Sequence, residues 1–310
     1  MKKALSILFL LFSLLAFKNI AYAQQEIIEC INFNKAGDFE RAIQVGKIAV
    51  EKYPENFSAY FCLGLAYYNV GELKPAYEVL KKAASLTDNK EILMYIHNQI
   101  GLTLDKMGYL DDAIPYFRKS INLAKDLGNT DVQFKILNYI GMSYKNNGEL
   151  DKALSYFEES LSLKTNEKYK PLPYFNIAII YDKKGDYQKA VEYLQKAIEI
   201  DEKYEDYRGA SIQKLFLGDT YRKMKDYKNA EKYLSEGLEG VKKVGDKNWE
   251  AVGYKYFGWL YRDRGDKKTA REYFNLAYNL FKSIGAEGDA QYVLNDIKKL
   301  DESKNRRHKP

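Results

Sequence analysis

The sequence predicts an all-α solenoid, and the first observation behind this prediction is a recurring alanine. Each of these alanines opens a helical apolar pattern, and they follow one another at steps of 34, 37, 40, 37, 40 and 40 residues. The positions are Ala42, Ala76, Ala113, Ala153, Ala190, Ala230 and Ala270. A near-constant period of this length is typical of stacked repeats. We therefore predict an array of seven helix–turn–helix units.

Two further columns of the pattern support this prediction. A small residue precedes each alanine by twelve positions, namely Cys30, Gly64, Gly101, Gly141, Ala178, Gly218 and Gly258. A turn glycine lies between them in every unit except the sixth, where Lys225 replaces it. Small residues allow two helices to cross closely, and glycine allows a tight turn. Neither helix of a unit buries its apolar face alone, so neighbouring units must stack.

We call the recurring small residues, from Cys30 to Gly258, the small column. The motifs around this column resemble the tetratricopeptide repeat. They read Leu63-Gly64-x-x-Tyr67, Ile140-Gly141-x-x-Tyr144, Leu217-Gly218-x-x-Tyr221 and Phe257-Gly258-x-x-Tyr261, each followed by the alanine. The resemblance covers residues 24–285 and implies a right-handed α-solenoid of stacked helix-turn-helix repeats that binds a protein or an extended peptide segment. The chain departs from the family pattern in the spacers 124–131, 241–248 and 281–288, where we expect glycine-capped helix ends. Pro115 falls inside a second helix, where we expect a late start or a slight bend.

The two ends of the chain lie outside the repeats. Residues 1–23 have two lysines, an apolar run over 4–17 and the triplet Ala21-Tyr22-Ala23, the order of a signal peptide cleaved before Gln24. A membrane anchor is the alternative, but the apolar run is shorter than a spanning helix. We therefore expect an exported protein, periplasmic or secreted, whose mature form does not span a membrane.

After the repeats we expect a capping helix over 286–302 and a basic flexible tail over 303–310. The predicted buried face of this helix is Ala290, Val293, Leu294, Ile297 and Leu300. Its predicted outer face is Gln291, Asp296, Lys298 and Lys299. The tail is either a solvated end or a docking segment.

The sequence offers no catalytic, cofactor-binding or metal-binding motif, and we expect no enzyme activity and no small-molecule substrate. The net charge of +6, from 49 basic and 43 acidic residues, is too weak to suggest nucleic acid as a partner. The 28 tyrosines fall mostly in packing columns. Cys30 and Cys62 either form a disulfide or remain two buried thiols.

The resemblance implies a concave groove lined by the first helix of each unit. The candidate partner-binding residues on this face are Phe61, Leu65, Tyr68, Asn98, Asn138, Met142, Lys145, Phe175, Ile179, Arg222, Lys255, Trp259 and Arg262. Phe61, Phe175 and Trp259 have no packing role in the repeat scheme, which favours peptide binding. The alternative is that these rings touch neighbouring first helices.

Two details refine the groove prediction. Lys255, Trp259 and Arg262 share one helix face, so we expect one binding cluster there. The Lys-x-x-x-Asn spacing of the family's carboxylate clamp is absent from the first helices, which disfavours an adaptor for acidic chaperone tails.

The sequence therefore favours a non-catalytic, exported scaffold that binds an envelope or secreted protein in the groove. The alternative is a structural subunit of an envelope assembly machine, for a pilus or outer-membrane biogenesis, that packs through its outer edges. A sensor fragment that controls an enzyme is a third hypothesis, and it would need a membrane link or a signalling domain.

Overall fold

The computed structural model describes residues 24–305, with side-chain surroundings for residues 24–300. The predicted signal peptide and the last five residues of the predicted tail lie outside this range. Within it the regular structure consists of α-helices joined by turns and one short 3₁₀ segment, with no strand. The fold is an all-α helical repeat solenoid, as the sequence predicts.

The chain forms two compact units, and the boundary between them falls after Ser143. The helices of the first unit are α1 Gln25–Ala36, α2 Phe39–Lys52, α3 Phe57–Val70, α4 Leu73–Ser85, α5 Lys90–Lys106, α6 Leu110–Asp126 and α7 Thr130–Asn146, whose last residues belong to the second unit. Odd-numbered helices are the first helices of the predicted repeats, and even-numbered helices are the second ones.

The second unit continues the same alternation of first and second helices. Its elements are α8 Leu150–Ser162, a 3₁₀ turn at Glu167–Tyr169, α9 Pro171–Lys184, α10 Tyr187–Lys203, α11 Tyr207–Lys223, α12 Tyr227–Lys243, α13 Lys247–Asp263, α14 Lys267–Ser283 and α15 Glu287–Asn305.

The turns between paired helices use a left-handed residue, as the sequence predicts. Gly185 has a φ of 80° at the end of α9, and the backbone N–H groups of Gly185 and Asp186 donate to carbonyls of the last turn of α9. Lys225 takes this conformation without being glycine, with a φ of 63°. Glycines with positive φ also follow the helices that end within the three spacers, at Gly128, Gly245 and Gly285. The prediction of glycine-capped helix ends there is confirmed.

The small column marks close helix crossings. A Cβ atom placed on Gly258 would lie 2.4 Å from Cδ1 of the fully buried Phe274. At Gly218 it would lie 2.8 Å from the backbone nitrogen of Leu234, which has no freedom to move aside. These helix pairs therefore leave no room for a side chain at the crossing.

Two details of the sequence-based interpretation are wrong. Helix α6 begins at Leu110, before Pro115, so the expected late start does not occur. Asp296 of α15 was expected on the outer face, yet it is only 5% exposed, because it accepts a hydrogen bond from the Trp259 indole. Helix α15 also ends at Asn305, so it includes the first residues of the predicted tail.

A disulfide joins Cys30 on α1 to Cys62 on α3, and both residues are buried. The side-chain amide of Asn34 reinforces this link by donating to the Cys62 carbonyl oxygen over 3.1 Å. The bond connects the first helices of two consecutive pairs. Among the described helices, none combines the length and the apolar character needed to cross a membrane.

We predict that the double variant Cys30→Ala/Cys62→Ala loses stability mainly in α1–α3. The bond closes a loop of 32 residues, and loop-closure entropy for that length corresponds to about 4 kcal/mol. Repeats couple mostly to their neighbours, so hydrogen exchange should accelerate in α1–α3 and change little in residues 144–305. A thiol assay on denatured, unreduced wild-type protein should find no free thiol. Two free thiols, or unchanged exchange in the variant, would contradict the bond or its stabilising role.

Candidate functional site

In the first unit, the candidate residues on the first helices differ in accessibility. Phe61 and Leu65 on α3 are each 7% exposed, so they present little surface to a partner. Tyr68, also on α3, and Met142 on α7 are half-buried and remain partly accessible. Fewer of the candidate residues are therefore accessible to a partner than the sequence predicts.

Two buried asparagines occupy equivalent positions on successive first helices of the first unit. Asn98 on α5 is 2% exposed and Asn138 on α7 is 3% exposed. The Oδ1 atom of each has no hydrogen-bond partner among the described residues. Asn138 uses its Nδ2 group to donate to the Phe134 carbonyl oxygen over 2.7 Å, which holds its side chain against its own helix. Folded proteins rarely leave such acceptors unpaired, so this pair requires an explanation.

Polar contacts connect neighbouring first helices in the same unit. The Lys106 ammonium lies 4.5 Å from the centroid of the Tyr68 ring and donates to the Tyr68 carbonyl oxygen over 3.2 Å. Ser143 donates to Asp105 Oδ2 over 2.8 Å. Burial raises the pKa of the Asp105 carboxyl, and the Ser143 hydrogen bond opposes that rise only in part. This face is thus polar and partly desolvated.

In the second unit, the aromatic candidates pack against neighbouring first helices. Phe175 on α9 meets Phe216 on α11 edge to face, with ring centroids 4.8 Å apart. Ile179 on α9 is half-buried. The expectation that Phe175 and Trp259 have no packing role is wrong. Phe175 contacts the neighbouring first helix α11, and Trp259 contacts the capping helix α15.

Most candidate and neighbouring cations on the first helices of the second unit are paired with carboxylates. Arg222 on α11 binds Asp219 on its own helix and Asp263 on α13. Lys223 binds Asp182 on α9 and also Asp219. These pairs cross from one first helix to the next, so they connect consecutive repeats as well as neutralising charge.

Trp259 lies at the centre of a cluster on α11, α13 and α15. Its Nε1–H donates to Asp296 Oδ2 over 2.7 Å, and its ring stacks on Tyr256 with centroids 5.4 Å apart. Lys255 and Arg222 lie 5.3 Å and 5.5 Å from the centroid of the indole. Stacking and cation–π contacts of this kind fix the orientation of the ring.

The structure thus assembles only part of the predicted cluster. Lys255 and Trp259 do come together, but Arg262 pairs with the adjacent Asp263. The second cation on the indole is Arg222, from the preceding first helix. The sequence-based interpretation also missed Asp296. A partly buried indole N–H needs a hydrogen-bond acceptor, so the sequence could have been searched for an acid able to reach Trp259.

Two lysines on this face have a depressed pKa. Burial lowers the pKa of Lys255, while Asp289, Asp219 and Asp296 act in the opposite direction. Burial also lowers the pKa of Lys145 on α7, and Lys183 adds to that effect. Lys145 donates to the neutral Oδ1 atom of Asn176.

No group of three or more metal-ligating side chains occurs among residues that the structure describes. His97 on α5 is half-buried beside Tyr116, and burial lowers its pKa. Its Nδ1 atom is buried without a hydrogen-bond partner in the described range. His308 lies outside the described residues.

Comparison with known families accounts for the repeated pairs of helices. Sequence models of the tetratricopeptide repeat match residues 33–90, 95–127, 132–203 and 210–283. The chain belongs to the tetratricopeptide-repeat family. The family architecture makes it a scaffold for protein–protein interaction, typically without catalysis. A search of curated proteins finds no match.

Solved structures with the same fold are numerous. The C-terminal part of a tetratricopeptide repeat-containing protein from Cytophaga hutchinsonii is 18% identical, with 82% of this chain and 95% of that one covered and a TM-score of 0.62. The apo form of RapI is 16% identical over 94% of this chain and 90% of that one, with a TM-score of 0.71. The apo form of the quorum sensor NprR from B. thuringiensis is 16% identical over 93% and 92%, with a TM-score of 0.59. At these identities the similarity shows the fold alone.

We predict that the Trp259 indole and the Asp296 carboxylate are energetically coupled. Trp259→Phe keeps an aromatic ring but leaves the buried carboxylate without its donor, which costs about 1–3 kcal/mol. In a double-mutant cycle with Asp296→Asn, thermal unfolding should show a coupling of roughly 0.5–3 kcal/mol. Trp249→Phe is the matched control, and it should show no coupling to Asp296→Asn. Strictly additive changes for Trp259→Phe and Asp296→Asn would contradict the prediction.

Proposed function

We propose that this tetratricopeptide-repeat chain is a seven-repeat, exported, non-catalytic scaffold. It binds an extended segment of an envelope or secreted protein in the concave groove that the first helices are expected to line. The family architecture supports a protein partner, and the residues on this face determine which kind of segment fits. No step of the proposal requires a cofactor, a metal or a small-molecule substrate.

The observation that carries the proposal is the pair of unpaired amide oxygens of Asn98 and Asn138. An extended peptide presents main-chain N–H groups at regular intervals, and these are the donors that such acceptors lack. Both asparagines are more deeply buried than Phe61 and Leu65, so the proposal requires side-chain rearrangement that exposes the two acceptors when the segment binds. Removing a buried polar group that has no partner normally stabilises a protein or leaves its stability unchanged. The presence of two such acceptors at equivalent positions of successive repeats therefore favours a binding role. The half-buried Tyr68 and Met142 supply apolar surface on the same face.

Two observations support export. Residues 1–23 have the composition and order of a cleavable signal peptide. The Cys30–Cys62 disulfide in the first unit suits an oxidising compartment, since disulfides rarely persist in a reducing cytosol. The leader and the bond lie in different parts of the chain, so they are independent.

We predict that the located, mature protein begins at Gln24. The small side chains of Ala21 and Ala23 are the ones a signal peptidase requires before the cut. Mass spectrometry of the protein recovered from an envelope or culture fraction should give the mass of the chain from Gln24 onward with one disulfide. Recovery of the intact Met1 terminus from that fraction would contradict both the cleavage and the proposed route of export.

We predict that Asn98→Leu and Asn138→Leu weaken capture of the partner while leaving the melting temperature unchanged or higher. Leucine has a similar volume and removes the unpaired acceptor, so folding loses little or gains. Binding would lose one hydrogen bond at each site, which corresponds to about 0.5–1.5 kcal/mol. The measurement is capture of envelope proteins by the immobilised mature chain, followed by titration of the captured protein.

Gln99→Leu is the matched control for this experiment. Gln99 is the next residue on α5, it is 5% exposed, and its Nε2 atom also lacks a hydrogen-bond partner among the described residues. It lies about 100° around the helix from Asn98, so its substitution should leave capture unchanged. Equal loss of capture in Gln99→Leu and Asn98→Leu would refute a specific role for the Asn98 acceptor.

The alternative is a structural subunit that packs through its outer edges. It is favoured by large apolar side chains at interhelical turns, where Tyr109 is 50% exposed, Tyr204 is 44% exposed and Tyr207 is 60% exposed. Tyr204→Asp and Tyr207→Asp distinguish the two functions. Capture that is lost in these variants and retained in Asn98→Leu would favour the structural subunit.

A further inference from the structure

Lys145 and Lys255 are two partly buried lysines on first helices of the second unit, and they differ from the cations between them in having no carboxylate partner among the described residues. Arg222 and Lys223 each bind two carboxylates. Lys145 and Lys255 form no ion pair with any residue in the described part of the second unit. These two lysines lie on α7 and α13, on either side of the charge-paired cations of α11.

Lys255 is surrounded by aromatic rings. Its Nζ atom lies 5.7 Å from the ring centroid of Tyr256, 5.3 Å from Trp259, 6.0 Å from Phe281 and 5.7 Å from Tyr292. Rings attract an ammonium ion, but they do not replace the hydrogen-bond acceptors that its three N–H groups require. Within residues 24–300, Nζ of Lys255 donates no hydrogen bond. Lys255 is half-buried and not fully enclosed, so part of its side chain remains accessible to an incoming acceptor.

The acids near Lys255 are largely engaged elsewhere. Asp296 accepts from the Trp259 indole, and Asp219 is bound by both Arg222 and Lys223. Asp289 is the third acid whose charge acts on Lys255. Burial outweighs the attraction of these three acids, so the pKa of Lys255 falls.

Lys145 is in a similar position at the other side of the face. Its ammonium donates to Asn176 Oδ1, and the amide of Asn176 is held in turn by donation to the Leu172 carbonyl oxygen over 2.9 Å. A neutral oxygen satisfies one N–H group but leaves the charge unpaired. Burial and the nearby Lys183 lower the pKa of Lys145.

We infer that Lys145 and Lys255 are two anchor points for carboxylates of an acidic, extended segment of the partner. The inference rests on the proposed function, and it specifies the chemistry of the segment. A partly desolvated ammonium that forms no direct ion pair gains a charge-assisted hydrogen bond from an incoming carboxylate. The cations between the two anchors are already neutralised, so the middle of the segment needs no charge.

The structure also sets the spacing of the two carboxylates. Side-chain contacts join each first helix to the next along this face: Lys145 to Asn176, Lys223 to Asp182, and Arg222 to Asp263. Packed helices lie about 8–10 Å apart, so the three steps from α7 to α13 span roughly 24–30 Å. An extended chain covers about 3.3 Å per residue, which places the two acidic residues roughly seven to nine positions apart.

The test is selection of binding peptides from a random display library on the immobilised mature chain. Peptides of about sixteen residues are long enough to span both anchors in extended form. We expect selected sequences to be enriched in pairs of Asp or Glu at this spacing. In Lys145→Gln and Lys255→Gln the pairing should disappear, with affinity for a selected peptide about tenfold weaker, the loss expected for one hydrogen bond to a charged group.

Two control variants separate charge at the anchors from net charge and from misfolding. Lys189→Gln removes one charge from α10, where Lys189 is an exposed partner of Asp186, and should leave the selection unchanged. Lys255→Arg keeps the charge and should retain the preference for acidic residues.

Each outcome of the selection is decisive. Peptides that bind without acidic enrichment, but lose affinity in Asn98→Leu, would overturn the acidic anchors and leave the proposed function standing. Failure to select any peptide above background would overturn both. Equal enrichment on wild type, Lys145→Gln and Lys255→Gln would show that general charge attraction, and not the two anchors, causes it.

Discussion

At Gly258 a single added methyl group would lie 2.4 Å from the Phe274 ring, and at Gly218 it would press on the backbone of Leu234. These crossings are so close because a helix pair of this size cannot bury its apolar face alone and must pack tightly against its partner and its neighbours. Every other feature of the two units depends on this close approach. It fixes which helix faces are buried, and it leaves the opposite face of the first helices to other uses.

Stacking also explains why side-chain contacts recur at a nearly constant sequence separation. Asp182 and Lys223 are 41 residues apart, as are Arg222 and Asp263, and Trp259 and Asp296 are 37 apart. The first two pairs join one first helix to the next, and the third joins the last first helix, α13, to the capping helix α15. A contact between residues that are distant in sequence is therefore local in this architecture, and disruption of one contact is expected to affect mainly the adjacent repeats.

The sequence predicts the features that depend on periodicity and on backbone conformation. The small column, the left-handed turns and the terminal helix follow from residue type and spacing, and Lys225 takes the turn conformation because its position in the repeat requires it. Contacts between helices are harder to predict. Asp296 has the position of an outward residue on its own helix, but the indole of Trp259 draws it into a buried contact. Arg262 shares a face with Trp259, yet the stacking of the repeats brings Arg222 to the ring instead. The sequence left both states of Cys30 and Cys62 open, because their separation depends on the packing of α1 against α3.

Two kinds of group on the first helices lack a full set of partners within the described part of their own unit. In the first unit they include the acceptors of Asn98 and Asn138. In the second unit they include the ammonium of Lys145, which donates only to a neutral oxygen, and that of Lys255, which lies among aromatic rings. Both kinds cost stability, because a desolvated polar group without a partner is less favourable than the same group in water. A subunit that packs only through its outer edges gains nothing from this loss of stability on its first helices. Apolar residues of similar size at these positions would make it more stable. Main-chain N–H donors of an extended segment would complement the acceptors of the first unit, and carboxylates would complement the ammonium groups of the second unit. Within each unit, these groups are thus a physical reason to propose the interaction on the first helices.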